Sequence, residues 1–467
     1  MRTLSSLLLL ALLVAGIGSG QSLIEVTRNS DHKGLQALLA KKVDVNAAEA
    51  DGTTALHWAA YLDDMDSAGL LLKAGANPNA ITDLGVTPLW NAGVNGSVEM
   101  TRKLLEAGAD PNKSLPSGET PLMVAARTGN PAVVEQLLAK GAKVDAHGTR
   151  GQTALMWATS EKHSEAVKVL LAHKANVHLK SDVWNLVMAV PPHGELSLNK
   201  AIPHGGETAL MFAAREGDLE STKLLVAAGA NVNDTDAWGV SATTLAAHSG
   251  FTDLVEFLLQ KDANPNAAEA GFTALHNAIM RRDQRMVKAL LEHGADPNAP
   301  LKTWTPTRRS SDDDHFDPAW VGASPFWLAS RFPQPNLMRL LIDHGADPLF
   351  VHHAKWIAER GFGGAESTEN STALLAALGV GSGVAWSLPP QTEREALALE
   401  ATKILIEKGV DVNATSVNGR TALDLAKGLR YNSVVTYLME KGAKEGVPGA
   451  AGRGGPRGSR DAGKGAR

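Results

Sequence analysis

The chain of 467 residues carries 45 Lys and Arg against 50 Asp and Glu, a formal net charge of −5, and no cysteine. Disulfides, thiol catalysis and thiolate metal sites are therefore excluded. Residues 444–467 hold six basic and two acidic residues, so removing this +4 and the charge of Arg2 leaves −10 for residues 21–443. An acidic body disfavours a nucleic-acid surface.

The first twenty residues, MRTLSSLLLLALLVAGIGSG, contain an apolar run from Leu7 to Ile17 and a small-residue end. This layout predicts a secretory signal peptide over residues 1–20, cleaved near Gln21. The run is shorter than the roughly 20 apolar residues that a spanning helix needs. We therefore expect an exported bacterial protein, periplasmic or secreted, with no membrane span in the mature chain.

Four glycines recur every 33 residues, in DGTTALHWAA, LGVTPLWNAG, SGETPLMVAA and RGQTALMWAT. A period of this length indicates stacked supersecondary units. Each unit predicts two short helices: Thr87 and Pro88 form an N-cap and first turn, and Leu137 and Leu138 lie in a second, amphipathic helix. A glycine then ends that helix in the left-handed conformation. One helix pair cannot bury both its faces, so neighbouring pairs must stack.

The motifs TALHWAA, TPLMVAA and GADPN resemble the ankyrin repeat, and the resemblance extends from about residue 22 to residue 443. It implies an all-α fold, a right-handed curved solenoid of about ten stacked helix-turn-helix units with β-turn or loop fingers. One elongated domain over residues 21–443 is expected, beginning with an N-terminal cap. The Gly/Arg-rich tail, residues 444–467, is expected to be disordered.

The repeat spacing breaks in three places, which predicts insertions near residues 180–204, 300–320 and 350–400. Insertions in solenoids usually project as loops, often on the binding face. The second insertion contains DDDHFDPAW, preceded by Arg308 and Arg309. Its acidic stretch could ligate a hard cation, but it lacks the glycine and spacing of a calcium loop. A solvated loop without metal is the favoured interpretation for the four candidate ligands Asp312, Asp314, His315 and Asp317.

His57 and His276 occupy the histidine position of the TPLH motif, where the family resemblance implies a structural role. No histidine pair has the spacing of a zinc hydrolase, and no serine lies in a nucleophile elbow. We therefore predict no catalytic residue, no cofactor and no metal. Two alternatives stay open: a metal, small-molecule or enzymatic site built by the insertions, and contact of the basic tail with an anionic polymer.

The resemblance implies that a partner protein binds at the turn tips and at the ends of the first helices, which line a concave groove. Aromatic and arginine side chains dominate such interfaces. Trp238 and Trp320 either contact the partner or pack under an insertion, whereas Trp58, Trp157 and Phe212 are predicted to be core. We expect a monomeric scaffold whose partner-binding residues are Tyr61, Leu62, Leu84, Arg127, Arg150, Arg215, Trp238, His248, Phe272, Met280, Arg281, Trp320, Arg331 and Phe332.

Overall fold

The computed structural model describes residues 22–188, 200–305, 315–357, 366–381 and 385–447. The predicted signal peptide, most of the basic tail, and Asp312 and Asp314 lie outside these ranges. Contacts within the chain define two compact units, Met1–Leu186 with Ile202–Ala263 and Val187–Ala201 with Asn264–Arg467. Repeat spacing predicted one domain over residues 21–443 and did not predict this division into two units.

The described residues form eleven helix pairs. Seven pairs belong to the first unit: α1 Leu23–Arg28 and α2 His32–Ala40, α3 Ala55–Tyr61 and α4 Met65–Lys73, α5 Pro88–Asn95 and α6 Val98–Glu106, α7 Pro121–Thr128 and α8 Pro131–Ala139, α9 Ala154–Ser160 and α10 Ser164–Ala172, α11 Ala209–Glu216 and α12 Leu219–Ala227, α13 Ala242–Ser249 and α14 Thr252–Leu259. Four belong to the second unit: α15 Ala274–Met280 and α16 Gln284–Glu292, α17 Pro325–Arg331 and α18 Pro335–Asp343, α19 Ala373–Ala377 and α20 Gln391–Glu407, α21 Ala422–Leu429 and α22 Asn432–Glu440.

The helix ends follow the local chemistry of the sequence. Thr87 Oγ1 accepts a hydrogen bond from the Trp90 N–H at 3.0 Å, and Pro88 opens α5. Gly75, one residue beyond the C-cap of α4, has a φ of 92°, a conformation that costs other residues strain. The predicted N-caps and left-handed glycines are therefore confirmed.

Within each unit, like helices stack on like helices. In the first unit α3 packs between α1 and α5, and α4 packs between α2 and α6. Ala59 and Ala60 are fully buried, and their small side chains let neighbouring first helices approach closely. Leu71 and Leu104 are also fully buried, on successive second helices. No helix among the described residues is long and apolar enough to cross a membrane.

Two insertions contain β-hairpins, so the expectation of loops in an all-α fold is corrected. Strand β1, Val183–Met188, pairs with β2, Lys200–Gly205, and β3, Val351–Ile357, pairs antiparallel with β4, Glu366–Thr372. An extended finger leaves backbone N–H and C=O groups without partners, and strand pairing satisfies them. In the third insertion, α20 also begins at Gln391, well before the predicted end of the loop.

The described part of DDDHFDPAW, residues 315–320, is half-buried to buried and its Phe316 packs against other aromatic residues. The Phe316 ring is buried and lies 5.3 Å from the Phe272 ring and 5.2 Å from the Trp386 ring. Trp386 Nε1 donates to the His315 carbonyl at 2.7 Å. The solvated-loop prediction is wrong for residues 315–320, because these aromatic side chains bury one another, and it stays untested for Asp312 and Asp314.

Candidate functional site

A cavity of about 340 Å³ opens in the first unit where the turns before α3 and α5 meet the end of α3. Two of the predicted partner-binding residues, Tyr61 and Leu84, line it. This cavity is termed the Tyr61 pocket, and it is lined by Asp51, Thr53, His57, Trp58, Tyr61, Thr82, Asp83, Leu84, Val86 and Asn91.

His57 forms a fixed wall of the Tyr61 pocket. Its Nδ1 accepts a hydrogen bond from the Thr54 N–H at 3.1 Å, so the proton resides on Nε2, which donates to the Val86 carbonyl at 3.0 Å. Burial lowers the pKa of His57, which keeps the ring neutral near pH 7. The predicted structural role of this histidine is confirmed, since it connects α3 to the turn before α5.

Large apolar side chains form the open side of the pocket. Tyr61 is 57% exposed and Leu84 is 75% exposed. Trp58 contacts Tyr61 edge-to-face with ring centroids 5.8 Å apart, and the guanidinium of Arg28 lies 4.4 Å from the Trp58 ring. Trp58 is half-buried, so its prediction as core is wrong in part. The Arg28 guanidinium covers part of the ring, and the rest of the ring lines the Tyr61 pocket.

Two carboxylates give the pocket a negative charge. Asp51 accepts hydrogen bonds from the N–H and the hydroxyl of Thr53, both at 2.9 Å, and these bonds lower the pKa of Asp51. The Asp83 N–H donates to the Asp51 carbonyl at 2.8 Å and joins the two turns. Sequence reasoning missed both aspartates, because acidic residues at turn tips are ordinary turn formers.

A sequence model described as "Ankyrin repeats (3 copies)" matches residues 23–114, 95–181 and 194–300, more than half of the chain. The chain belongs to the ankyrin repeat family. Ankyrin repeats generally mediate protein–protein interactions, and the matched residues include the helix pairs from α1 to α16.

Curated ankyrin relatives share parts of this chain. The E3 ubiquitin-protein ligase KEG of Arabidopsis thaliana is 28% identical over 289 residues, covering 55% of this chain and 16% of that protein. Ankyrin repeat and SOCS box protein 6 of Homo sapiens is 33% identical over 188 residues, covering 39% and 34%. The matched region thus spans about a third or less of the length of these relatives.

One solved ankyrin repeat domain resembles part of this chain. The crystal structure of the human ASB11 ankyrin repeat domain is 28% identical, with a TM-score of 0.43, and the match covers 53% of this chain and all of that chain.

The other predicted contact residues of this ankyrin protein divide by exposure. Leu62, Arg150 and His248 are exposed, and Arg127, Arg215, Trp238, Arg281 and Arg331 are half-buried. Four are buried, and the prediction that they lie on an open surface is wrong: Phe272, Met280, Trp320 and Phe332.

Several predicted arginines of the ankyrin repeats already have partners within the chain. The guanidinium of Arg150 lies 4.4 Å from the Trp184 ring on β1. Arg215 forms an ion pair with Glu207. The Arg127 guanidinium lies 5.4 Å from the Trp157 ring, which is half-buried and not fully core as predicted. Each of these arginine side chains therefore already interacts with a residue of this chain.

Trp320 is covered by the third insertion. The residue is fully buried, its ring meets the Phe332 ring edge-to-face at 5.4 Å, and β3 packs against the short turn Pro318–Trp320. Of the two interpretations left open by the sequence, packing under an insertion is confirmed for Trp320. The aromatic partners lie far along the chain, and the repeat pattern does not reveal them.

Proposed function

We propose that this chain is an exported, non-enzymatic scaffold that binds another protein through its ankyrin groove, with the Tyr61 pocket as the main anchoring point. The exposure of Tyr61 and Leu84 beside the ring of Trp58 carries this proposal. Aromatic anchors that fill pockets contribute most of the binding energy at protein interfaces. His57 holds the backbone of the pocket in place before the partner arrives, which reduces the entropy lost on binding.

The charge of the pocket specifies the partner more closely. Asp51 and Asp83 lie beside the apolar surface of Tyr61 and Leu84. An apolar side chain followed by Lys or Arg would bury its apolar part against the tyrosine and place its cation near the carboxylates. We therefore propose a partner segment of this composition.

Export is part of the same proposal. The apolar run before Gly18 and the small residues that follow it support removal of residues 1–20 and delivery to the periplasm or the medium. Mass spectrometry of the protein recovered from the native host should identify Gln21 as the mature N-terminus. Recovery of chains that still begin at Met1 from the cytoplasm would contradict export.

The alternative left open by the sequence was a metal, small-molecule or enzymatic site built by the insertions, and the described residues offer no observation in favour of a metal or enzymatic site. Among the described residues, no group of three or more His, Cys, Asp or Glu side chains is placed to hold a metal ion. Asp312 and Asp314 lie outside the described ranges, so calcium binding at that stretch is neither supported nor tested.

A recovery experiment from the native exported fraction tests the scaffold. The double variant Tyr61→Ala and Leu84→Ser should weaken partner binding at least about tenfold. The control variant Leu349→Ala and Met439→Ala removes apolar side chains that are 55% and 59% exposed, elsewhere in the chain. Equal partner recovery by the two double variants would contradict the proposal.

A further inference from the structure

A second cavity, of about 270 Å³, lies wholly within the second unit, between the ends of α17 and α21 and the start of α20. Three arginines line it: Arg282, Arg331 and Arg394. No acidic residue is among the described side chains that line this cavity. We term it the Arg394 pocket.

The three guanidinium groups are anchored by backbone carbonyls and keep donors to spare. Arg282 donates to the carbonyls of Phe332 and Pro333, both at 3.2 Å, and Arg331 Nη2 donates to the Gly381 carbonyl at 3.1 Å. Each guanidinium offers five N–H donors. Acceptors on the backbone fix the positions of these groups without neutralising their charge.

Arg394 has the most free donor capacity. Its Nε donates to the Pro389 carbonyl at 3.1 Å, and its two Nη groups form no hydrogen bond within the described part of the chain. Two parallel N–H groups of this kind match the two oxygens of a carboxylate. Tyr431 also lines the pocket, and the charges of Arg394 and of Glu395 act on its hydroxyl in opposite directions.

Arg331 shows that the positive charge is incompletely compensated. Its Nε is buried and has no hydrogen-bond partner among the described residues. Burial lowers the pKa of Arg331 to about 10, against the opposing effect of Asp317, so the group stays charged at neutral pH. A partly buried charge of this kind is stabilised by an anion that enters the site.

The remainder of the lining is mostly apolar and includes Phe332, Leu397 and Leu429. The volume is below the roughly 300 Å³ at which pockets for drug-sized ligands begin. We propose that the Arg394 pocket binds a small monocarboxylate, with the carboxylate on Arg394 and the apolar body against these side chains. This site is separate from the Tyr61 pocket, and each can fail without the other.

Calorimetric titration of the full chain with 4-phenylbutyrate tests the proposal, with 4-phenylbutanamide and inorganic phosphate as comparison ligands. The acid should bind saturably, and each comparison ligand should bind at least about tenfold more weakly. Amide binding as tight as that of the acid would show that charge is irrelevant, and equal phosphate binding would show that the apolar lining is irrelevant. Either result, or no saturable binding of the acid, would overturn the proposal.

Two variants locate the site. Arg394→Gln should weaken acid binding at least about tenfold. The matched control Arg339→Gln removes the same charge from α18, where Arg339 pairs with Glu400 at 2.8 Å outside the pocket, and should retain the wild-type affinity. If circular dichroism shows that Arg394→Gln is unfolded, the variant Leu388→Asp is tested in its place. Leu388 lines the pocket and is 53% exposed, so a carboxylate at this position should be tolerated by the fold and should repel the ligand. Unchanged affinity in the folded variant would contradict this location.

Discussion

Asn112 joins its own repeat to the next one through Gly141. Its Nδ2 donates to the Gly141 carbonyl at 3.0 Å, while its Oδ1 accepts from the Lys143 N–H at 2.8 Å. Asn79 makes the same pair of contacts one repeat earlier, to the Gly108 carbonyl and from the Asp110 N–H. The asparagine of the GADPN motif is therefore an inter-repeat tie as well as a turn residue, because its side chain both donates and accepts.

Replacing this tie should measurably weaken the stack. Asn112→Ala removes two hydrogen bonds to backbone groups at an exposed site and should reduce the free energy of unfolding by about 1 to 2 kcal/mol. Urea unfolding followed by far-UV circular dichroism measures the change. A free energy within error of the wild-type value would show that water replaces both bonds without loss.

Asp145 provides the matched reverse change. Its Oδ1 accepts from the Asn176 N–H at 2.9 Å, but an aspartate has no N–H to donate to the carbonyl of Lys174, the position equivalent to Gly141. Asp145→Asn should therefore raise the free energy of unfolding by about 0.5 to 1 kcal/mol. A destabilised Asp145→Asn protein would argue against the tie as a general device of these repeats.

The burial of Trp320 predicts a large difference between two tryptophan variants. Trp320→Ala empties a fully buried site and should lower the free energy of unfolding by about 3 to 5 kcal/mol. Trp238→Ala, at a half-buried position, should have a clearly smaller effect. Denaturation monitored by circular dichroism compares the two, and similar losses would contradict the packing of Trp320 under the insertion.

His276 predicts a pH-dependent stability. Burial lowers its pKa from 6.5 to about 4 in the folded chain. Between those values the unfolded chain binds the extra proton and the folded chain does not, so the free energy of unfolding falls as the pH is lowered. Over the whole window this histidine accounts for a loss of about 3 kcal/mol.

The variant His276→Gln isolates that contribution. Glutamine keeps an acceptor for the Thr273 N–H, which lies 3.2 Å from His276 Nδ1, but it does not titrate. Unfolding free energies at pH 7 and pH 4.5 should differ less in this variant than in the wild type. The same pH dependence in both proteins would show that other groups are responsible.

The sequence predicted the features that depend on local chemistry and on the repeat period, namely the helix caps and the turn glycines. Thr87, Pro88 and Gly75 act within their own turns, so their caps could be read directly from the residues. The contact of Phe316 with Trp386 joins residues far apart in two insertions, and no period relates them. Burial of the predicted surface aromatics was missed for this reason.

The candidate site was predicted in part. Tyr61 and Leu84 followed from their positions in the repeat, and the structure brings them into one cavity. The acidic charge of that cavity was not predicted, because it results from the meeting of two turns that are separate in sequence. The Arg394 pocket combines the third insertion with three repeat turns, and repeat spacing alone gave no sign of it.

The central claim, that a partner protein binds at the Tyr61 pocket, is tested most directly by photo-cross-linking in the native exported fraction. A benzophenone amino acid at position 84, where Leu84 is 75% exposed, should cross-link one discrete partner. The same group at position 106, an exposed site on α6, should not. We predict an adduct at position 84 that disappears with Tyr61→Ala, and equal cross-linking from positions 84 and 106 would contradict the account.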